Sequence, residues 1–193
     1  MPNDDALPEW EQVLSAAARL RRPVLILGSL DGIETGVRQL IRSAPLETQE
    51  VEVAGGKLTI PTEAEILRIK AFLILRRNAT RDYLDFVALA DHMGQDAMVE
   101  ALRSFDALYP QDNGESPLQQ LQAQLANPMP HDLDGVNLSE YKNLAARWRD
   151  WEAVKAVSFD SAAVIFDRIT GLDEAQKPGP RPPRSSSPSG TGL

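Results

Sequence analysis

Between Ile66 and Leu75 the chain carries only two polar side chains, Arg68 and Lys70. A helix this apolar must be buried on most of its surface, so other elements have to wrap it. Pro61-Thr62 opens the stretch, and Thr62 followed three residues later by Glu65 has the form of a capping box. Asn78-Ala79-Thr80 makes a short break, after which Thr80 can cap a second helix running to about His92. That helix carries Tyr83, Leu84, Phe86, Val87 and Leu89, and Gly94 ends it. Thr62 to Gly94 therefore reads as two packed helices that set Lys70 near Asp82 and Asp85.

The spacing predicts further helices over Gln95 to about Leu108, Pro117 to Leu125, and Ser139 to Leu172, the last in two pieces meeting near Trp148 to Trp151. Upstream, Pro8 to Leu20 places Trp10, Val13, Leu14, Ala17 and Leu20 on one side of a helix. Val24 to Leu27 reads as a buried strand ending at Gly28, too apolar for a sheet edge. Asp31 to Ala44 gives no clear pattern. Val51 and Val53 alternate with Glu50 and Glu52, Gly55-Gly56 turns, and Lys57 to Ile60 pairs back as a hairpin. The expected fold class is α+β. It comprises a thin, β-containing part over residues 1–61, a helical region over 62–172, and a Pro/Ser/Gly-rich tail over 173–193 that should be disordered.

Composition narrows the chemistry. The chain has no cysteine, which excludes disulfides and thiolate metal sites. No apolar run approaches the roughly 18 residues of a membrane span, and the acidic start, Met1 to Glu9, does not resemble a secretory signal. A cytoplasmic protein without a membrane partner is expected. The formal net charge of -8 opposes a broad nucleic-acid surface. Arg68, Lys70, Arg76, Arg77 and Arg81 nevertheless form a basic cluster free of acidic residues. It either focuses an anionic ligand or is a solvated helix end whose charges complement the dipole.

Lys70, in an apolar helix, must snorkel, find a carboxylate, or face a ligand. Asp82 and Asp85 share a helix face, and Arg81 can reach Asp85 at i,i+4. An ion-pair network accounts for these residues as readily as a site does. Asp82 lies in the first turn, where the dipole alone favours a carboxylate, and Asp85 lies deeper, so Asp85→Ala is expected to destabilise more than Asp82→Ala. His92 and His131 are too far apart in sequence to suggest a metal site, and none is assigned. Gly28-Ser29 before Asp31 lacks the spacing and lysine of a phosphate loop.

Ile66-Leu67-Arg68-Ile69-Lys70-Ala71-Phe72-Leu73, followed by Arg77-Asn78-Ala79-Thr80-Arg81-Asp82-Tyr83-Leu84-Asp85-Phe86, resembles the AbiEii/AbiGii toxin family of nucleotidyltransferases. The resemblance implies a partial nucleotidyltransferase-like mixed sheet ahead of the helices, in a bacterial toxin–antitoxin protein. It implies Lys70, Asp82 and Asp85 as catalytic residues, and Lys70, Arg77 and Arg81 as nucleotide contacts. It further implies Mg²⁺ and a nucleoside triphosphate, a tRNA or protein acceptor, and a cognate antitoxin. The family's Gly-Ser is followed by Asp-x-Asp on a strand, whereas here Glu50-Val51-Glu52 is the nearest imitation. A truncated, inactive chain is therefore expected. The alternatives are a non-catalytic helical module binding a nucleotide, RNA or a partner, and a purely structural helical domain.

Overall fold

The computed structural model describes residues 25–30, 33–38, 42–141 and 143–171, the first two stretches as strand backbone. The expected helix over Pro8 to Leu20 and the expected disordered tail lie outside the described residues.

The architecture is α+β and mostly helical. Strand β1 (Leu25–Leu30) runs past Gly28, where the sequence suggested an end, and pairs antiparallel with β2 (Ile33–Arg38), Leu30 opposite Ile33. Gly36 had hidden the second strand of this hairpin. Strands β3 (Thr48–Val53) and β4 (Gly56–Pro61) form a second antiparallel hairpin, with Val51 opposite Leu58 and Glu52 opposite Lys57. Gly55, at φ 103°, supplies the positive φ that this tight turn requires. The two hairpins are separate two-stranded sheets, so β1 gains no partner from β3 or β4. Both faces of the second hairpin meet solvent, and Val53 and Leu58 are about half exposed.

Helix α1 (Glu63–Arg77) is enclosed as its composition demands. From Ala64 to Leu75 no residue is fully exposed, and Leu67, Ala71 and Ile74 are completely buried. Helix α2 (Thr80–Met93) packs on it through Tyr83, Leu84, Phe86 and Val87, all in the core. Gly94, at φ 80°, closes α2, its N–H donating to the Ala90 carbonyl. The expected third helix is broken: α3 (Gln95–Leu102) and the single turn α4 (Phe105–Leu108) are separated at Arg103-Ser104, where Ser104 adopts φ -90°, ψ 5°.

Helix α5 (Pro117–Ala126) begins as its sequence specifies, Ser116 accepting from the Gln119 N–H and Pro117 occupying the first turn, where a missing N–H costs nothing. Helix α6 (Trp151–Ile165) is capped by Asp150 and runs into a π turn over Phe166–Thr170. Ser139 to Tyr141 and Asn143 to Arg149 are not α-helical. They form short 3₁₀ turns at Leu138–Glu140 and Ala146–Arg149, so helix starts only at the second of the two expected pieces. Tyr83, Phe86, Phe105, Leu102, Leu121 and Ile165 join the helices in one core. Among the described residues, no helix is long and apolar enough to cross a membrane.

Candidate functional site

The α1–α2 corner gathers the charged residues singled out from the sequence. Asn78 sits in the left-handed region (φ 47°) and ends α1, its N–H donating to the Ile74 carbonyl. A short polar side chain tolerates this conformation. The corner brings Arg77 onto Asp82, with Nε donating to Oδ2 at 3.0 Å and a terminal nitrogen to Oδ1 at 2.7 Å. This two-pronged pair is held by a carboxylate with no solvent exposure, while Arg77 is 44% exposed. One turn further along α2, Asp85 accepts from Lys70 Nζ at 2.6 Å and lies 3.8 Å from Arg81. Its side chain is 35% exposed.

All five candidates therefore lie together, and each is drawn into an ion pair: Lys70 and Arg81 with Asp85, Arg77 with Asp82. The depth ranking read from the sequence is reversed. Asp82 is the enclosed carboxylate and Asp85 the partly solvated one, because the α1–α2 turn folds Arg77 back over the start of α2. The basic cluster is correspondingly neutralised. Arg68 is buried against Glu65 and Glu47, which leaves the exposed Arg76 as the member of the cluster with no ion pair among the described residues.

Thr80 does not cap α2 with its own side chain. Ala79 occupies the N-cap position, and Asp132, from a distant loop, takes the Thr80 N–H and hydroxyl at 2.7 Å each. The same loop clamps Asn78: its amide donates to the Met129 carbonyl at 2.8 Å, and the His131 N–H donates to the Asn78 carbonyl at 3.0 Å. Tyr83 donates to Asn78 Oδ1 at 2.7 Å, and burial pushes its phenol up to about 12. For Asp132, burial acts upward but is outweighed by the two hydrogen bonds from Thr80 together with that from its own backbone N–H and the charge of His131, so its carboxyl lies below the usual range.

A second charged cluster escaped the sequence reading. Glu65, fully buried, contacts Arg42 and accepts from Arg68 at 3.3 Å and from the Glu47 N–H at 3.2 Å. Arg68 also reaches Glu47 at 2.5 Å and the Ala101 carbonyl at 3.2 Å. The Arg42 guanidinium lies 5.5 Å from the Tyr109 ring centroid. Only half of the capping box forms. Thr62 Oγ1 accepts from the Glu65 N–H, but the Glu65 carboxylate turns to the arginines and the Thr62 N–H donates to the Glu47 carbonyl. The Arg68 hydrogen bond, aided by one from Thr62, holds Glu47 below the usual carboxylate range. Glu65 and Arg68 at i,i+3 were the available sequence signal, whereas Arg42 and Glu47 lay in a stretch without periodicity.

His92 lies at the end of α2, 3.5 Å from Glu63, and His131 lies in the clamp loop. Among the described residues, no group of three or more histidine or carboxylate side chains is placed to hold a metal ion.

Comparison with known proteins points away from nucleotidyl transfer. Over 112 residues the chain is 38% identical to the heme uptake protein MmpL11 of Mycobacterium tuberculosis, a stretch covering 56% of this chain and 11% of that protein. Over 132 residues it is 38% identical to the mycolic acid-containing lipids exporter MmpL11 of Mycolicibacterium smegmatis, covering 65% and 13% respectively. A probable transport protein MmpL11 of Mycobacterium leprae is 33% identical over 115 residues. The chain resembles part of a transport protein. It spans only about a tenth of the length of the curated relatives it matches.

No family model matches the chain, and no solved structure does. The resemblance to AbiEii/AbiGii toxins is thereby corrected, together with the nucleotidyltransferase, toxin–antitoxin and truncated-enzyme readings that rested on it. A lysine on an apolar helix followed by Arg-Asp-x-x-Asp is also what a helix corner cross-tied by ion pairs requires. The metal-binding Asp-x-Asp that the family places after its Gly-Ser, the signature that would have supported the motif independently, does not follow Gly28-Ser29. The roles it lent to Lys70, Arg77, Arg81, Asp82 and Asp85 lose that support.

Proposed function

We propose that this chain is a helical, non-catalytic module equivalent to an extramembrane segment of MmpL11-type transport proteins. The observation that carries this reading is the 38% identity over 132 residues with the M. smegmatis lipid exporter. Two features of the fold support it. No described helix has the length and apolarity of a membrane span. The charged side chains at the α1–α2 corner also satisfy one another, which suits a rigid structural element better than a site awaiting substrate.

A chimera tests the reading. The segment of the M. smegmatis exporter that aligns with this chain is deleted, and the aligned residues of this chain are inserted in its place. Mycolic acid-containing lipids in the envelope are then measured. Loss of export on deletion and recovery in the chimera are expected. A chimera that is inserted normally in the membrane yet exports no better than the deletion would overturn the reading.

A further inference from the structure

Along helix α6 and into the turn that follows it, Glu152, Ala156, Phe159, Ala163 and Phe166 are all exposed, at intervals of four, three, four and three residues. These are the intervals of a heptad seam, and they fix its register. Ala156 and Ala163 fall at a positions, and Glu152, Phe159 and Phe166 at d. The flanking positions follow, with Lys155 at g and Asp160 at e. Phe159 and Phe166 are 59% and 47% exposed, while Val154, Ala162 and Ile165 hold the same helix in the core. Lys155, Ala156, Phe159 and Asp160 also line a shallow groove beside the end of α5, Ala126 to Pro128. Lys155 reaches Glu152 of its own helix at 2.9 Å, and Asp160 has no ion-pair partner among the described residues.

We propose that this seam is the docking surface for the same seam of a second copy of the chain, the two α6 helices running parallel about a twofold axis. Charge selects both the occupant and the direction. In a parallel two-stranded pairing, a g side chain meets the e side chain five residues further along the other helix. Lys155 therefore meets Asp160 of the second copy. The twofold repeats the contact, so one surface supplies both halves of two ion pairs. Antiparallel pairing sets e beside e and g beside g, which would oppose Asp160 to Asp160 and Lys155 to Lys155. Shape agrees with the parallel register, because alanine layers alternate with phenylalanine layers and leave room for the rings. Glu152 meets its own copy at the open end of the seam, where Lys155 already offsets its charge. The seam is short, about 21 Å from Glu152 to Phe166 at the helical rise. Each helix is folded by its own core before it associates, so pairing does not carry the cost of ordering it. A reversible dimer follows.

Sedimentation velocity of the full chain tests this, over a concentration series reaching about 1 mM. A reversible monomer–dimer equilibrium is expected. Phe159→Glu should abolish it, with unchanged helix content confirming that this exposed position has not disturbed the fold. Lys155→Asp and Asp160→Lys should each weaken the dimer about fivefold, since two exposed ion pairs become like-charge pairs. Combining the two substitutions should restore the original affinity. The absence of cysteine allows the direction to be read separately. Ala163→Cys should form a disulfide between chains under mild oxidation several-fold faster than Leu58→Cys on the exposed β4 strand, because a parallel seam sets position 163 beside its own copy. A monomer throughout the series would overturn the proposal and assign the stripe to a different protein. A dimer that survives Phe159→Glu, a double variant as weak as the single ones, or equal cross-linking at positions 163 and 58 would overturn it as well.

Discussion

Asp82 receives both of its side-chain hydrogen bonds from Arg77, across the left-handed corner at Asn78. The two partners differ in exposure, and this sets the cost of losing each. Arg77→Ala strands a fully enclosed carboxylate and should cost about 3–5 kcal/mol. Asp82→Ala leaves a half-exposed guanidinium that water can serve, so the loss is about 1.5–3 kcal/mol, in the range of hydrogen bonds to charged groups. Asp85→Ala breaks a partly solvated pair with Lys70 and should cost about 1 kcal/mol or less. Urea unfolding midpoints should therefore fall in the order Asp85→Ala, Asp82→Ala, Arg77→Ala, from highest to lowest. A larger loss for Asp85→Ala than for Asp82→Ala would contradict the burial argument.

Glu65 is the single buried carboxylate between Arg42 and Arg68, both nearly enclosed. The Nε atoms of both arginines already lack hydrogen-bond partners among the described residues. Glu65→Gln removes the negative charge while keeping the shape, so it should cost about 3 kcal/mol or more through two under-compensated cations. The same carboxylate accepts from the Glu47 N–H, while Ser43 donates to the Leu108 and Ala107 carbonyls. Amide exchange at Glu47 should accelerate well beyond that at Ser43 in the variant. Equal acceleration at both would mean that the segment opens as one unit.

The helix pair was legible because its apolar content admits only a buried helix, and because Thr62, Asn78 and Gly94 are the residues that begin and end such elements. The association of Lys70 with Asp85 was legible too, since a lysine in that setting needs an anion. What could not be read was depth. Periodicity places Asp82 and Asp85 on one face but cannot show that Arg77 folds back over the first turn. The cap of α2 comes from Asp132, fifty-two residues from Thr80, and no local pattern encodes it. The error about function had a similar origin: a short charged motif on two helices was assigned a chemistry when its spacing also serves to tie the helices together.

Tyr83 offers a probe of the corner at high pH. Its phenol is held near 12 by burial and donates to Asn78. Because the folded value lies above the ordinary 10, the associated stability is complete below pH 10 and is lost as pH rises towards 12. Ultraviolet titration of the three tyrosines should show late ionisation from Tyr83 and from Tyr109, which burial also raises, and the component near 12 should disappear in Tyr83→Phe. Persistence of that component with unchanged amplitude would place Tyr83 outside the core.

Asp132 makes the complementary prediction in acid. Its carboxyl lies below the ordinary 3.8 because burial is outweighed by the hydrogen bonds from Thr80 and from its own backbone N–H, with the charge of His131. A depressed carboxylate contributes stability that is present in full above its unfolded value and lost as pH falls through its folded value. The contribution should therefore be constant from pH 7 down to about 4.5 and decline below about 3.8. Asp132→Ala also leaves the Thr80 N–H uncapped at the start of α2, and should cost about 1–2 kcal/mol near neutrality. Thermal melts of the two proteins should converge as pH is lowered from 4 to 2.5. A gap that stays constant over that range would mean that the aspartate acts through packing, with its charge playing no part.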